Sequence, residues 1–226
     1  LRDRLTDVVN KIRSQVTSTE TKNVFVEVAL VVYRDHVKSY GADNLPVWNE
    51  NPVQSHGGFY AFDEDDERTQ LLSLLNQTKA EGGAPYFAEQ VDLGLDAALK
   101  LDWSRDNGVT KVIFIAGDAP PFDEVFINRE APQLKTSYPY WHALSQLQPD
   151  APTLRAFRTS DLIERARSKR ITIHAVSCNT SGVKEEIRRT ELPKAVKFFS
   201  ELSKGTGGGL LDLRDTHTVD QLVQIS

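Results

Sequence analysis

Apolar positions recur at helical spacing from the first residue, where Leu1, Leu5, Val8, Val9, Ile12 and Val16 mark one face of an amphipathic helix. The pattern then changes, and Asn23 to Arg34 reads as a buried strand. Between Asp35 and Gly58, Pro, Gly and Asn accumulate, which predicts a long exposed loop closed by a short edge strand over Gly58-Phe59-Tyr60-Ala61-Phe62. Glu64-Asp65-Asp66-Glu67 loads negative charge onto the start of a predicted helix over 66–80, where the helix dipole favours it. The same run lacks the Gly and bidentate Glu spacing of an EF-hand and is read as a helix start. Further helices are predicted over 87–101, 160–169, 183–204 and from Thr218, with strands over 110–116, 170–177 and 209–213. Helix and strand alternating in this way predict an α/β fold with a mainly parallel central sheet, helices on both faces and one antiparallel edge strand.

The stretch 119–152 breaks the alternation. It is proline-rich and carries the cluster Tyr138-Pro139-Tyr140-Trp141-His142, so it reads as an irregular insertion. Aromatic rings beside prolines offer large contact area at low entropic cost, which suits a docking surface. They equally suit a satellite core folded over the sheet edge, and both readings stand at this point.

Length and charge narrow the class of protein. The 226 residues with 39% hydrophobic content suit a single domain with one core. A formal charge of -5 gives no general basic field, which argues against nonspecific binding of nucleic acid or anionic membranes. No apolar run reaches the roughly 20 residues that span a bilayer, so no membrane insertion is expected. One cysteine, Cys178, rules out an internal disulfide and a Cys-rich zinc site, and its place at a strand end suggests a buried, inert thiol. The sequence carries no methionine, so a removed signal peptide is not observable, and the compartment stays open, with an extracellular or periplasmic place compatible with the chain.

Common catalytic signatures are missing. There is no G-x-x-x-x-G-K-[ST], no G-x-S-x-G elbow and no H-E-x-x-H pair. Gly205-Thr206-Gly207-Gly208-Gly209 follows a helix and precedes a strand, the reverse of a phosphate-binding turn, and reads as a helix stop. His174 alternates within a strand and reads as a core residue, while His36 and His142 fall in loops near the predicted carboxyl edge, where a ligand role stays open without a motif to support it.

The strongest local signal is Lys111-Val112-Ile113-Phe114-Ile115-Ala116-Gly117-Asp118, an apolar strand running into a carboxylate at its C-terminal end. Open α/β sheets place ligands at that edge. Val112 to Ala116 are apolar at both alternating positions, which predicts burial on both faces, with Asp118 emerging as a ligand group or as a cap for the next turn.

Tyr33-Arg34-Asp35-His36, the Glu81-Gly82-Gly83 loop before the helix-like Ala88 to Leu99, and Asp118-Ala119-Pro120-Pro121 occur in an order and spacing that resembles a von Willebrand factor type A (vWA) domain of bacterial type. The resemblance covers nearly the whole chain. It implies a Rossmann-like fold and a metal-ion-dependent adhesion site for Mg²⁺ or Ca²⁺ at the sheet's carboxyl edge. That site draws on a D-x-S-x-S motif after the first strand, a Thr or Asp after the Gly-Gly loop, and an Asp ending the fourth strand. Only Asp118 matches; Tyr86 stands near the expected Thr or Asp, and the D-x-S-x-S motif is absent because Leu1 already lies in the helix that would follow it.

What the resemblance implies is a module that binds a protein ligand at that edge, with Asp118 as the metal residue and Arg34, Asp35, Tyr86, Tyr140 and Trp141 as partner-binding candidates. Two alternatives are a metal-assisted hydrolase using Asp118 and Asp35 around a water, and a degenerate metal-free vWA domain within a larger protein. The resemblance also places an absent first strand between 24–34 and 110–116. These two strands are therefore expected as neighbours without a shared ladder, about two strand spacings apart, and the sheet is expected to need an upstream segment or another chain to complete it.

Overall fold

Antiparallel pairing organises the first third of the chain, in the computed structural model that describes residues 25–34, 37–40, 46–48, 52–79, 88–121, 157–178 and 185–212. Strands β1 (Glu27–Val28) and β6 (Tyr60–Ala61) pair in one ladder, β2 (Val31–Tyr33) and β5 (Val53–Ser55) in a second, and β3 (Val37–Tyr40) and β4 (Pro46–Trp48) in a third. The registers place Val31 opposite Ser55 and Ser39 opposite Val47, so the second and third ladders are successive parts of one long hairpin. The first ladder is shifted by two residues, with Val28 opposite Tyr60. Gly57 and Gly58 lie in the shift, and Gly57 adopts φ 75, a left-handed conformation that suits glycine.

The predicted strand over Asn23 to Arg34 is thus two short strands, half-buried or exposed in place of fully buried. The loop predicted from Asp35 to Gly58 contains strands β3, β4 and β5. Proline and glycine suggested breakage there, but Pro46 sits at the tip end of its strand and Pro52 offers only its carbonyl, accepting Arg34 N–H at 2.7 Å.

The second half carries the parallel sheet. Strands β7 (Lys111–Gly117), β8 (Ile171–Ser177) and β9 (Leu210–Asp212) lie side by side in that order, all parallel. Helices α1 (Asp65–Gln77), α2 (Val91–Lys100), α3 (Thr159–Ser168), α4 (Glu185–Thr190) and α5 (Leu192–Thr206) are the described helices. The acidic run opens α1 as expected, with Asp65, Asp66 and Glu67 in its first turn. The helix predicted over 183–204 is split at Glu191, because Pro193 is compatible only with the first turn of a helix and starts a new one.

Helical spacing explains the core. Val91, Leu95 and Leu99 of α2, Leu162 and Ala166 of α3, and Ala195, Phe198, Phe199 and Leu202 of α5 recur every three or four residues. All pack on the sheet face formed by Ile113, Ile115, Ile171, Ile173 and Ala175. A smaller cluster, Phe62 and Leu71 with Val26, Val28, Leu30, Tyr60 and Leu75, seats α1 on the hairpin. The fold is therefore α/β, a parallel sheet flanked by helices in a Rossmann-like arrangement.

One expectation for β7 is corrected. Ile113, Ile115 and Gly117 are buried, but Phe114 is 40% exposed and Ala116 is exposed as well. The described helices cover only the odd-numbered face, and apolar residues at both alternating positions did not reveal the difference. At the far end, α5 stops at Thr206 with Gly207 at φ 83 as its left-handed cap. Gly208 then passes so close to β8 that a Cβ would lie 2.0 Å from the Ile173 carbonyl. The glycine run is a helix stop followed by a close backbone crossing.

Candidate functional site

Asp118 follows β7 directly and is half-buried at the carboxyl end of the parallel sheet. Two residues later the chain turns back against the approach to α2, where Glu89 N–H donates to the Pro120 carbonyl at 3.0 Å and Glu89 bridges Pro121. This bridge brings the Glu89 carboxyl into the field of Asp118. Burial, and then the charge of Asp118, push the Glu89 carboxyl up to about 7. Glu89 therefore exchanges its proton near neutral pH beside a second carboxylate.

Tyr33 closes the site from the hairpin side. Its hydroxyl donates to the Ala116 carbonyl at 2.7 Å. Gly117, the next residue, directs its carbonyl to the β8 side, where it accepts Cys178 N–H at 2.9 Å. Backbone groups alternate along a strand, so the Ala116 carbonyl faces the other edge of β7, toward β2. Among the described residues no ladder joins β2 to β7; the tyrosine side chain spans the gap instead. Two glycines make room for it, since a Cβ on Gly117 would lie 2.3 Å from the Tyr33 hydroxyl and one on Gly94 would lie 2.8 Å from Tyr33 Cβ.

Burial raises the Tyr33 phenol far above its ordinary range, with Glu89, Cys178 and Asp118 adding to the effect. It acts as a fixed neutral donor. Tyr33→Phe is expected to lower stability by about 1 kcal/mol, the net worth of one neutral hydrogen bond, with an unchanged urea dependence. Equal urea midpoints for the two proteins would show that the bond contributes nothing.

Cys178 lies at the same edge, half-buried and unpaired. Burial and then Asp118 raise its pKa, against a smaller opposing pull from the Gly117 backbone, so the thiol stays protonated and weakly nucleophilic. His174 is fully buried, as the sequence suggested; its Nδ1 accepts Gly209 N–H at 3.0 Å, and its ring stacks on Phe114.

Of the metal and partner-binding candidates named from sequence, Asp118 and Arg34 are described. Arg34 follows β2 and donates from Nη1 to Gln54 Oε1 at 3.1 Å, tying the two arms of the hairpin together. Asp35, Tyr86, Tyr140 and Trp141 lie outside the described residues, as do His36, His142, the N-terminal helix, the helix from Thr218 and nearly all of 119–152. Glu89 was missed. The available signal was an acidic residue between the Gly-Gly loop and the apolar face of α2.

The fold and this edge define a Rossmann-like α/β domain with two carboxyl groups and a half-buried phenol at the carboxyl end of its sheet. No family model matches the chain, and no curated protein matches it. Among solved structures it is similar to an aerotolerance-related membrane protein from Bacteroides fragilis carrying multiple mutations to serines. The identity is 10%, over 100% of this chain and 89% of that chain, with a TM-score of 0.46. Likeness at that level transfers no residue roles.

Proposed function

We propose that the chain is a vWA-type binding module that engages a protein partner at the carboxyl edge of its parallel sheet, with a divalent cation held at Asp118. The observation that carries this reading is the juxtaposition of Asp118 and Glu89, two hard-oxygen donors at the edge where α/β sheets bind ligands. The donor set fits Mg²⁺ better than Ca²⁺. Mg²⁺ keeps several waters and needs only one or two carboxylates, whereas Ca²⁺ takes six to eight oxygens. Among the described residues no group of three His, Cys, Asp or Glu side chains forms a fuller cage. Asp118 would hold the cation and Glu89 would hold it directly or through water, and the cation would supply a Lewis-acidic position for a ligand oxygen.

A catalytic reading has less support. The one thiol at the edge is kept protonated, and the phenol is kept neutral. No described helix is long and apolar enough to cross a membrane.

Calorimetric titration of Mg²⁺, Mn²⁺ and Ca²⁺ into the wild-type chain and Asp118→Ala tests the cation. Heat with Mg²⁺ or Mn²⁺ that disappears in the variant is the expected result; equal heats from both proteins would remove Asp118 from any metal site. The binding role is tested by partner retention that requires Mg²⁺, is reversed by a chelator and fails in Asp118→Ala. Retention unaffected by both changes would place the contact surface elsewhere.

A further inference from the structure

The opposite end of β7 holds a second chemically distinctive cluster, in the turn that leads into the strand. Val109 N–H donates to the Asp106 carbonyl at 3.4 Å, which closes a four-residue turn with Asn107 and Gly108 in the middle. The Asp106 carboxylate accepts Gly108 N–H at 2.8 Å. From across the sheet's amino end, Arg170 Nη1 donates to Asn107 Oδ1 at 2.7 Å. Asn107, Gly108 and Arg170 are all exposed.

Gly108 is not demanded by the turn. Its φ is not in the left-handed region, and a Cβ there would meet only the Asp106 carboxylate, at an ordinary 3.5 Å. What glycine does supply is a backbone nitrogen with no neighbouring side chain to shield it from the preceding asparagine.

We propose that Asn107 is a self-modification site, at which the backbone nitrogen of Gly108 attacks Asn107 Cγ to close a succinimide. The new C–N bond forms as the side-chain amide nitrogen leaves, taking the proton given up by Gly108 to depart as ammonia. Water then opens the ring at either carbonyl, giving aspartate or isoaspartate, and no oxidant or reductant is involved. Both hydrogen bonds at the turn have the polarity this reaction uses. The Arg170 guanidinium touches the oxygen on which negative charge develops, and the Asp106 carboxylate accepts the hydrogen that must be lost.

The product alters the surface. Opening to aspartate sets a carboxylate against Arg170 where a neutral amide stood, and opening to isoaspartate lengthens the backbone of the turn feeding β7. Arg170 is held at φ 56 just after α3, so its side chain projects from a constrained backbone position.

The test is incubation of the whole folded chain at mildly alkaline pH, with peptide mass mapping and isoaspartate detection over time. Asn76, exposed near the end of α1 and followed by Gln77, is the comparator within the same molecule. Asn107 is expected to convert at least roughly tenfold faster than Asn76, and Gly108→Ala to bring it down to the Asn76 rate with an unchanged melting temperature. Arg170→Ala is expected to slow conversion by roughly threefold, the effect of losing one exposed donor at the reacting oxygen. Conversion of Asn107 no faster than Asn76, or unchanged in Gly108→Ala, would overturn the site. A rate in Arg170→Ala at or above wild type would overturn the role given to Arg170.

Discussion

Phe199→Ala is expected to lose about 3–5 kcal/mol of stability, the range for removing a large aromatic side chain from a packed core. Phe199 is 1% exposed and meets Phe198 edge-on with ring centroids 5.3 Å apart. Its ring tip lies 3.0 Å from where a Cβ on Gly117 would stand, which places it under the last residue of β7 and beside the Tyr33 hydroxyl. Truncation would therefore open a void where α5, β7 and the Tyr33 bridge converge, and backbone on two sides of it cannot collapse inward. Val196→Ala on the same helix is the control. Val196 is 46% exposed, and its truncation should cost no more than about 0.5 kcal/mol. Urea unfolding read at its midpoint checks both, and a Phe199→Ala loss below about 1 kcal/mol would mean that this junction is not packed as described.

Much of this core is legible in the chain because helical periodicity survives in the sequence. Val91, Leu95 and Leu99, or Ala195, Phe198, Phe199 and Leu202, point to one face without any knowledge of what they pack on. The position of Asp118 is legible for a related reason, since an apolar strand must end where polarity begins. The hairpin was not. Its strands are interrupted by Pro46, Pro52 and the Gly57-Gly58 shift, and each breaker is tolerated by an edge position or a register change that only pairing reveals. The exposed face of β7 was hidden because Val112, Phe114 and Ala116 are as apolar as the residues that are buried.

Glu89 illustrates a different limit. Its only local mark is its place between the Gly-Gly loop and the apolar face of α2, and its high pKa arises from burial and from a carboxylate 29 positions later in the chain, brought close by the Glu89–Pro121 bridge. Tyr33 is similar, because its role depends on two glycines, Gly94 and Gly117, drawn from different elements. Contacts of this kind are properties of the fold, and local sequence pattern carries no trace of them. The vWA resemblance put Tyr86 near the expected Thr or Asp, at a position outside the described residues, and gave no role to Glu89, the acidic residue found in the field of Asp118.

Stability is expected to rise on acidification from neutral pH through the range set by Asp92, and Asp92→Asn is expected to remove that part of the rise. Asp92 is 2% exposed, in the first turn of α2. Burial raises its carboxyl to about 6 from an ordinary 3.8, against the downward pull of nearby amides; the Phe157 N–H it accepts at 3.0 Å is chief among them. One carboxyl oxygen has no hydrogen-bond partner at all, which is why solvation lost on folding dominates. The folded state thus keeps a proton that the unfolded chain releases between about pH 4 and pH 6, and stability falls as pH rises through that window. The gap between 3.8 and about 6 corresponds to at most roughly 3 kcal/mol. Glu89 acts in the same direction toward neutral pH, and buried His174, its pKa lowered, acts in the opposite direction as acid charges it in the unfolded chain. The difference between wild type and Asp92→Asn isolates one group from these. The variant retains an oxygen to accept Phe157 N–H and should be the more stable protein at pH 7.5, by about 1–2 kcal/mol, with the advantage gone by pH 4. Urea midpoints across this range decide the matter, and a variant that is less stable than wild type at pH 7.5 would show that the charged form of Asp92 is favoured by the fold.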